Sequence, residues 1–253
     1  MLTLLRRIRL SLIESGKFQR PASPAGRYLL YALGEIALVV IGILIALQVN
    51  EWNNNREKQN IELSTLYEFR SALRQDTTKI VIAKQRFHKS YDHTVALLNH
   101  IEDEKPYDKS LDTIIPRSYT FHTPTFERYN TAAFDLLKER GLDIISNENL
   151  RRDIINHYTN NHTVMNGWFA NVQKVHGLQV DRLYGNFKID QDMGERMKMY
   201  PNDYDQILRD RSTLNPFYHF KSLIVSSLNR FDKFHDETKE LLASINKEID
   251  SRE

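Results

Sequence analysis

YLLYALGEIALVVIGILIALQVNEW, residues 28–52, decides how the rest of the chain is read. Its residues 29–49 form a run of 21 in which Glu35 is the only charged side chain. At a helical rise of about 1.5 Å per residue this run covers roughly 30 Å, the thickness of a bilayer's hydrocarbon core. Tyr28 and Tyr31 stand at one end and Trp52 at the other, where amphipathic rings favour the headgroup layer. A buried core helix would show one apolar face, whereas this window is apolar all round, although its fully apolar run (36–47) is only 12 residues long. A cleaved signal peptide would begin earlier and end in a small-x-small site, which Ala46-Leu47-Gln48 is not. The segment therefore reads as an uncleaved transmembrane helix.

Charge agrees with that reading. Residues 1–27 carry six basic side chains (Arg6, Arg7, Arg9, Lys17, Arg20, Arg27) against Glu14 alone, and the remaining residues have a net charge of −3. An excess of Arg and Lys before the span puts the N-terminus in the cytoplasm and everything after residue 49 on the far side. Residues 2–13 fit a short helix on the membrane surface, with Leu5, Ile8 and Leu12 on one face and Arg6, Arg7 and Arg9 near the headgroups, worth about 1 kcal/mol per basic residue. An unstructured basic tail that only sets topology fits equally well. Pro21, Ser23, Pro24 and Gly26 break the chain before the span. The expected organisation is a basic cytoplasmic stub at 1–27, a transmembrane helix at 28–52 and an extramembrane helical bundle at 53–253.

Glu35 lies about two turns inside the cytoplasmic end, where a charge costs a few kcal/mol unless it snorkels, protonates or meets a partner. Helical steps put Glu35, Gly42, Ala46 and Asn50 on one face, and Gly42-x-x-x-Ala46 is a small-xxx-small pair that admits a second helix closely. Either this face is an intramembrane contact with a second copy or another protein, or Glu35 reaches the headgroups and the small residues fall there by chance.

Beyond the span, no glycine or proline occurs between Gly42 and Pro106. Steps of three and four from Leu66 give Phe69, Leu73, Asp76, Ile80, Ala83, Phe87, Ser90, Thr94, Leu97 and Ile101, an amphipathic helix running on from the membrane helix, with 53–55 and 75–78 as the places for a break. Residues 114–125 read as a loop, with 113–115 and 119–121 as faint strand signals. Asn130 or Thr131 suits the N-cap of a helix over 132–140, Gly141 its left-handed C-cap and Leu142 the accompanying apolar contact. Asn147 suits the next N-cap, followed by one face of Leu150, Ile154, Tyr158, Met165, Phe169, Val172, His176 and Leu183, with a kink or a split allowed at Gly167 or Gly177. A short helix is expected at 205–210. Asn215-Pro216 reads as a cap and first residue of a last helix, with Phe217, Phe220, Ile224, Phe231, Phe234, Leu241 and Ile245 on one face. The aromatics Tyr67, Phe69, Phe87, Tyr91, Phe217, Tyr218 and Phe220 fall at helical spacing and read as core, as do Trp168 and Phe169. The fold class is all-α: the transmembrane helix continues into an antiparallel bundle of long helices.

Several chemistries have no material here. Without cysteine there is no disulfide scaffold, thiolate zinc site or cysteine nucleophile. The His88/His93 and His157/His162 pairs are spaced by five, which in an α-helix separates the rings onto different faces. Asp153/His157 and the Asp232, His235, Asp236 turn read as solvated, ion-paired surface. Phosphate-cradling loops and serine elbows are missing from the sequence. The basic excess is confined to the first 27 residues, which argues against a nucleic-acid partner. No cofactor, metal or catalytic residue is expected. A hydrolase would need a cleft of titratable groups that a sequence does not reveal.

The start LLRRIRLSLIESGKF, the span YLLYALGEIALVVIGILIALQVNEWN and the segment FDLLKERGLDIISNENLRRDIINHY resemble a bacterial family of unknown function. Its members combine a basic N-terminal stub, one membrane helix of this wording and a helical extramembrane region. They more often carry a small-residue turn such as Ser-Ser-Gly where this chain has Lys138-Glu139-Arg140-Gly141, which keeps the glycine. The resemblance implies a bacterial inner-membrane protein and carries over no active-site residue. The expectation is a non-catalytic periplasmic interaction or scaffold module in an envelope complex. The alternative is a periplasmic ligand-sensing domain that signals through a separate partner, because a 27-residue stub is too short for an output domain.

Overall fold

The structure is a computed structural model and describes residues 24–119, 129–191 and 197–252. These residues form an all-α fold with one two-stranded sheet. The chain divides into two compact units, Met1–Gln59 and Asn60–Glu253.

Helix α1, Pro24–Glu102, is 79 residues long and belongs to both units. In the first unit, every side chain described from residue 32 to 59 is exposed. The helix breaks neither at 53–55 nor at 75–78. At the second place Thr77 and Thr78 turn their hydroxyls back onto the carbonyls of Leu73 and Arg74, 2.7 and 3.0 Å away, so they do not compete with the helix for its own amides. At the C-terminal end the amide of Lys105 donates to the His100 carbonyl and that of Glu104 to Ile101, closing a Schellman turn. Glu104 takes the left-handed position of this turn at φ +53°.

In the second unit, α1 is joined by α2 (Leu111–Tyr119), α3 (Ala132–Arg140), α4 (Glu148–Asn156) and α5 (His162–Tyr184). The strands β1 (Phe187–Asp190) and β2 (Lys198–Pro201), the short α6 (Tyr204–Arg209) and the long α7 (Asn215–Asp250) complete it. The strands pair antiparallel, Phe187 opposite Pro201 and Asp190 opposite Lys198. Helix α7 runs against α1: Arg252, just past its end, bonds Glu62, Phe231 packs edge-on against Phe87, and the Tyr218 hydroxyl bonds Glu102. It also runs against α4 and α5, pairing Glu248 with Asn147, Ser227 with Trp168 and Phe220 with His176. This part of α1 and the α4–α5 rod therefore point the same way, with α7 antiparallel to both.

The periodicity of α1 is the burial pattern: Leu66, Phe69, Leu73, Ile80, Phe87, Leu97 and Ile101 are all buried, and so are Asp76, Ser90 and Thr94 on the same stripe. On α7 Phe217, Phe220, Ile224, Phe231, Phe234, Leu241 and Ile245 are buried as well. These two helices hold six of the largest fully buried side chains, all phenylalanines, each worth about 1.5–3 kcal/mol. Two apolar clusters result, one around Phe87, Phe169, Phe220 and Phe231 and one around Phe69, Phe134, Leu137, Ile154 and Ile245.

Several local expectations are corrected. Residues 111–119 are helical where a loop from 114 and strand signals at 113–115 were expected; 120–125 lie outside the described residues. The strands form instead at 187–190 and 198–201. Helix α3 has Thr131 at its N-cap, but its hydroxyl caps no backbone amide and donates to the Asp135 carboxylate at 2.9 Å; the Asn130 side chain accepts from the Ala132 amide instead. Gly141 has positive φ but an extended ψ of 132°, not the left-handed helical conformation, and Leu142 is exposed. Asn215 is already helical and follows Leu214, so it is not the cap. Helix α5 is not split at Gly167 or Gly177. Tyr218 is exposed rather than core. The Asn147 cap is as expected: its side chain accepts from the Leu150 amide at 3.2 Å.

Candidate functional site

In the first unit, Glu35, Gly42, Ala46 and Asn50 stand at helical steps of seven, four and four, on one exposed face of α1. A methyl group added at Gly42 meets nothing within 4 Å, so no neighbour within the described chain requires a glycine there. Tyr28 is 83 % exposed and Trp52 64 %. The Arg56 guanidinium lies 5.8 Å from the Trp52 ring centre, one turn on, at the polar end of the apolar stretch. Tyr31 lies on α1, with its side chain outside the described residues, as are Arg6, Arg7, Arg9 and the surface helix expected around them. The best 18-residue window of α1 has a mean hydropathy of 2.4 and none of it is buried, which makes this helix long and apolar enough to cross a membrane.

In the second unit the conspicuous chemistry is one that sequence reasoning placed on the surface. His157 and His162 are both buried, and their ring centres are 5.0 Å apart. Five residues separate them, but 157–161 form a single π-helical turn between α4 and α5, and the His162 amide donates to the His157 carbonyl. That bond aligns residues i and i+5 on one face, whereas regular α geometry would separate them by about 140°. The other pair, His88 and His93, sits in regular helix, with His88 exposed and His93 half-buried. The correction for His157 is therefore complete: it is core, while Asp153 one turn earlier is exposed.

The two imidazoles are enclosed by rings. Phe234 of α7 lies parallel to His157 at 5.4 Å, Tyr158 is 4.7 Å and Tyr129 5.4 Å from His162, and Phe134 of α3 stacks on Tyr158 at 4.9 Å. Asp76 of α1 closes the group: one carboxylate oxygen accepts from the Asn130 amide at 3.1 Å and the other has no partner. Neither nitrogen of His157 or His162 has a hydrogen-bond partner, nor does the Tyr158 hydroxyl. Burial pushes His157 down to about 3, with His162 as the second cause, and His162 down to about 4. Burial also raises Asp76 to about 6 against the Asn130 amide and Lys79, and holds both phenols above their usual range with Asp76 assisting. Among the described residues no three His, Asp or Glu groups are placed to hold a metal ion.

Elsewhere, Asp232 pairs with Lys84, and His235 is half-buried beside it. An open cleft of ≈ 250 Å³ between α4 and the end of α7 is lined by Asn149, Asp153, Ser244, Lys247 and Ser251, among others. Compared with known protein families, curated proteins and solved structures, the chain matches none.

Proposed function

We propose that the chain is a single-pass bacterial inner-membrane protein with its N-terminus in the cytoplasm and its helical domain in the periplasm. In this reading the domain is a non-catalytic interaction or scaffold module of an envelope complex. The observation that carries it is the apolar stretch of α1, exposed at every described side chain, with Tyr28 and Trp52 at its ends and a basic segment before it. A bilayer is the medium that would cover such a surface on every side. The resemblance of the stub and span to the bacterial family supports the inner membrane.

Within the bilayer, the partner is a second copy or another membrane helix, seated on Glu35, Gly42 and Ala46. The uncrowded Gly42 supports this, because close approach between helices is what a small residue there allows. The test is a mild-detergent pull-down of the tagged full-length protein with Glu35→Leu in parallel. The expected result is a stoichiometric partner, or self-association, weakened about fivefold in the variant, the loss of about 1 kcal/mol of intramembrane contact. Association unchanged by Glu35→Leu would overturn the contact face.

The second reading, a ligand-sensing periplasmic domain that works through a separate partner, has the polar cleft beside α4 in its favour. A full-length protein that purifies as a monomer with nothing bound would move the weight to it, and ligand screening would follow.

A further inference from the structure

The interior of the second unit gives its enclosed hydroxyls partners almost everywhere. Thr65, Ser90, Thr94, Ser118 and Thr238 donate to carbonyls at 2.6–3.0 Å, and Ser227 accepts from the Trp168 indole at 3.3 Å. The unpartnered atoms gather at one place, the π turn, as five of the seven found among the described residues: the four imidazole nitrogens of His157 and His162 and the Tyr158 hydroxyl. A sixth, on Asp76, faces the same group; the seventh is on His235.

We propose that the His157–His162 turn is an acid-opened latch: protonating either imidazole unseats the π turn from α1, α3 and α7 and frees 154–165 from the core. Among the described residues, a cation at this place has no counter-charge. Each ring is packed against other rings, and a second charge on the neighbouring imidazole would repel the first. Asp76 is engaged with the Asn130 amide and is itself held neutral up to about pH 6. The π turn supplies the hinge. It holds one residue more than an α turn, so slipping back into α register rotates one histidine by about 100° and carries it out of the cluster.

Every element packed against the turn bears on the sign. Helix α1 presents Asp76 with Lys79 nearby; the stretch before α3 presents Tyr129, and α3 presents the apolar Phe134. Helix α7 presents Phe234, followed by His235 among Lys84, Lys239, Asp232 and Asp236. Both histidines sit below their free value of 6.5, so the open form takes up protons that the closed form refuses. Closure is thus fully favoured above pH 6.5 and lost as pH falls towards 4 and then 3. Asp76 acts oppositely, because the closed form keeps its proton between 3.8 and about 6. At pH 5 each released histidine favours opening by about thirtyfold and Asp76 returns about tenfold, leaving about a hundredfold towards opening.

The experiment is hydrogen exchange, read by mass spectrometry, on the full-length protein in detergent at pH 7 and pH 5, corrected for the intrinsic rate. Peptides covering 154–165 are expected to open about a hundredfold more at pH 5, while those covering 217–231 of α7 change far less. In His157→Leu/His162→Leu, of similar side-chain volume, that acid response is lost. Should the double variant fail to fold, the two regions of the wild type give the answer alone. Protection of 154–165 that is the same at both pH values, or an acid response kept by the variant, would overturn the latch.

Discussion

At Gly141 the chain turns out of α3 with φ +110°, and a Cβ built there lies 2.6 Å from a carboxylate oxygen of Asp143. Strain and crowding act together, so Gly141→Val is expected to lower stability by about 1–3 kcal/mol, read as a drop in melting temperature. An unchanged melting temperature would mean that the turn relaxes freely. This glycine was legible in sequence because a helix-terminating glycine has a local chemical signature. The exposure of Leu142 was not, since the extended ψ at 141 sends the chain away from the course a left-handed cap would give it. His157 and His162 were hidden for another reason: spacing arguments presuppose 3.6 residues per turn, and a single π turn changes which residues are neighbours. The one cue in the sequence was the apolar stripe itself: His157 stands three after Ile154, and His162 four after Tyr158 and three before Met165.

Helix α2 shows how one element can owe its existence to another. It has nine residues and holds Pro116 in its second half, so little in its own sequence favours a helix. Two bonds from α1 favour the helix. Ser90 donates to the Arg117 carbonyl at 2.8 Å, and Thr94 lies 3.0 Å from that of Ser118, so side chains of α1 take up carbonyls that the helix end leaves open. The other end starts at an Asx turn, in which the Asp108 carboxylate accepts from the Ser110 amide at 2.8 Å. Ser90→Ala combined with Thr94→Val is expected to cost about 1–3 kcal/mol by leaving buried carbonyls unpaired, and to raise exchange in 111–119 before the rest of the bundle. Equal loss of protection throughout the unit would argue that α2 has no separate stability. By contrast, α1 and α7 were readable because their stripes extend over many turns, and no local detail outweighs so many buried rings.

Over the whole second unit, the ends of its sequence are clasped. Arg252 donates to both oxygens of buried Glu62 at 2.7 and 2.9 Å and to Glu248 at 2.5 Å, while the amide and hydroxyl of Ser146 also reach Glu62. Arg252→Ala would leave a carboxylate that is 5 % exposed with only the Ser146 donors. The expected cost is about 2 kcal/mol, below that of a wholly buried pair because the Arg252 side chain keeps 21 % of its surface in water. Chemical denaturation of the full-length protein in detergent measures it, and a midpoint that stays put would assign the clasp no stabilising role. No periodicity announces such a contact, since its partners are 190 positions apart.

That separation also sets an order of events during synthesis. Glu62 and the stripe behind it leave the ribosome long before α7 exists, and at roughly 5–20 residues per second the wait for 190 more residues is about ten to forty seconds. For most of that time Phe87 lacks Phe231, and Phe69 lacks Leu241 and Ile245 of its cluster. A nascent chain of this topology completes its core late, and until then its long first helix is a surface that other molecules must be kept from.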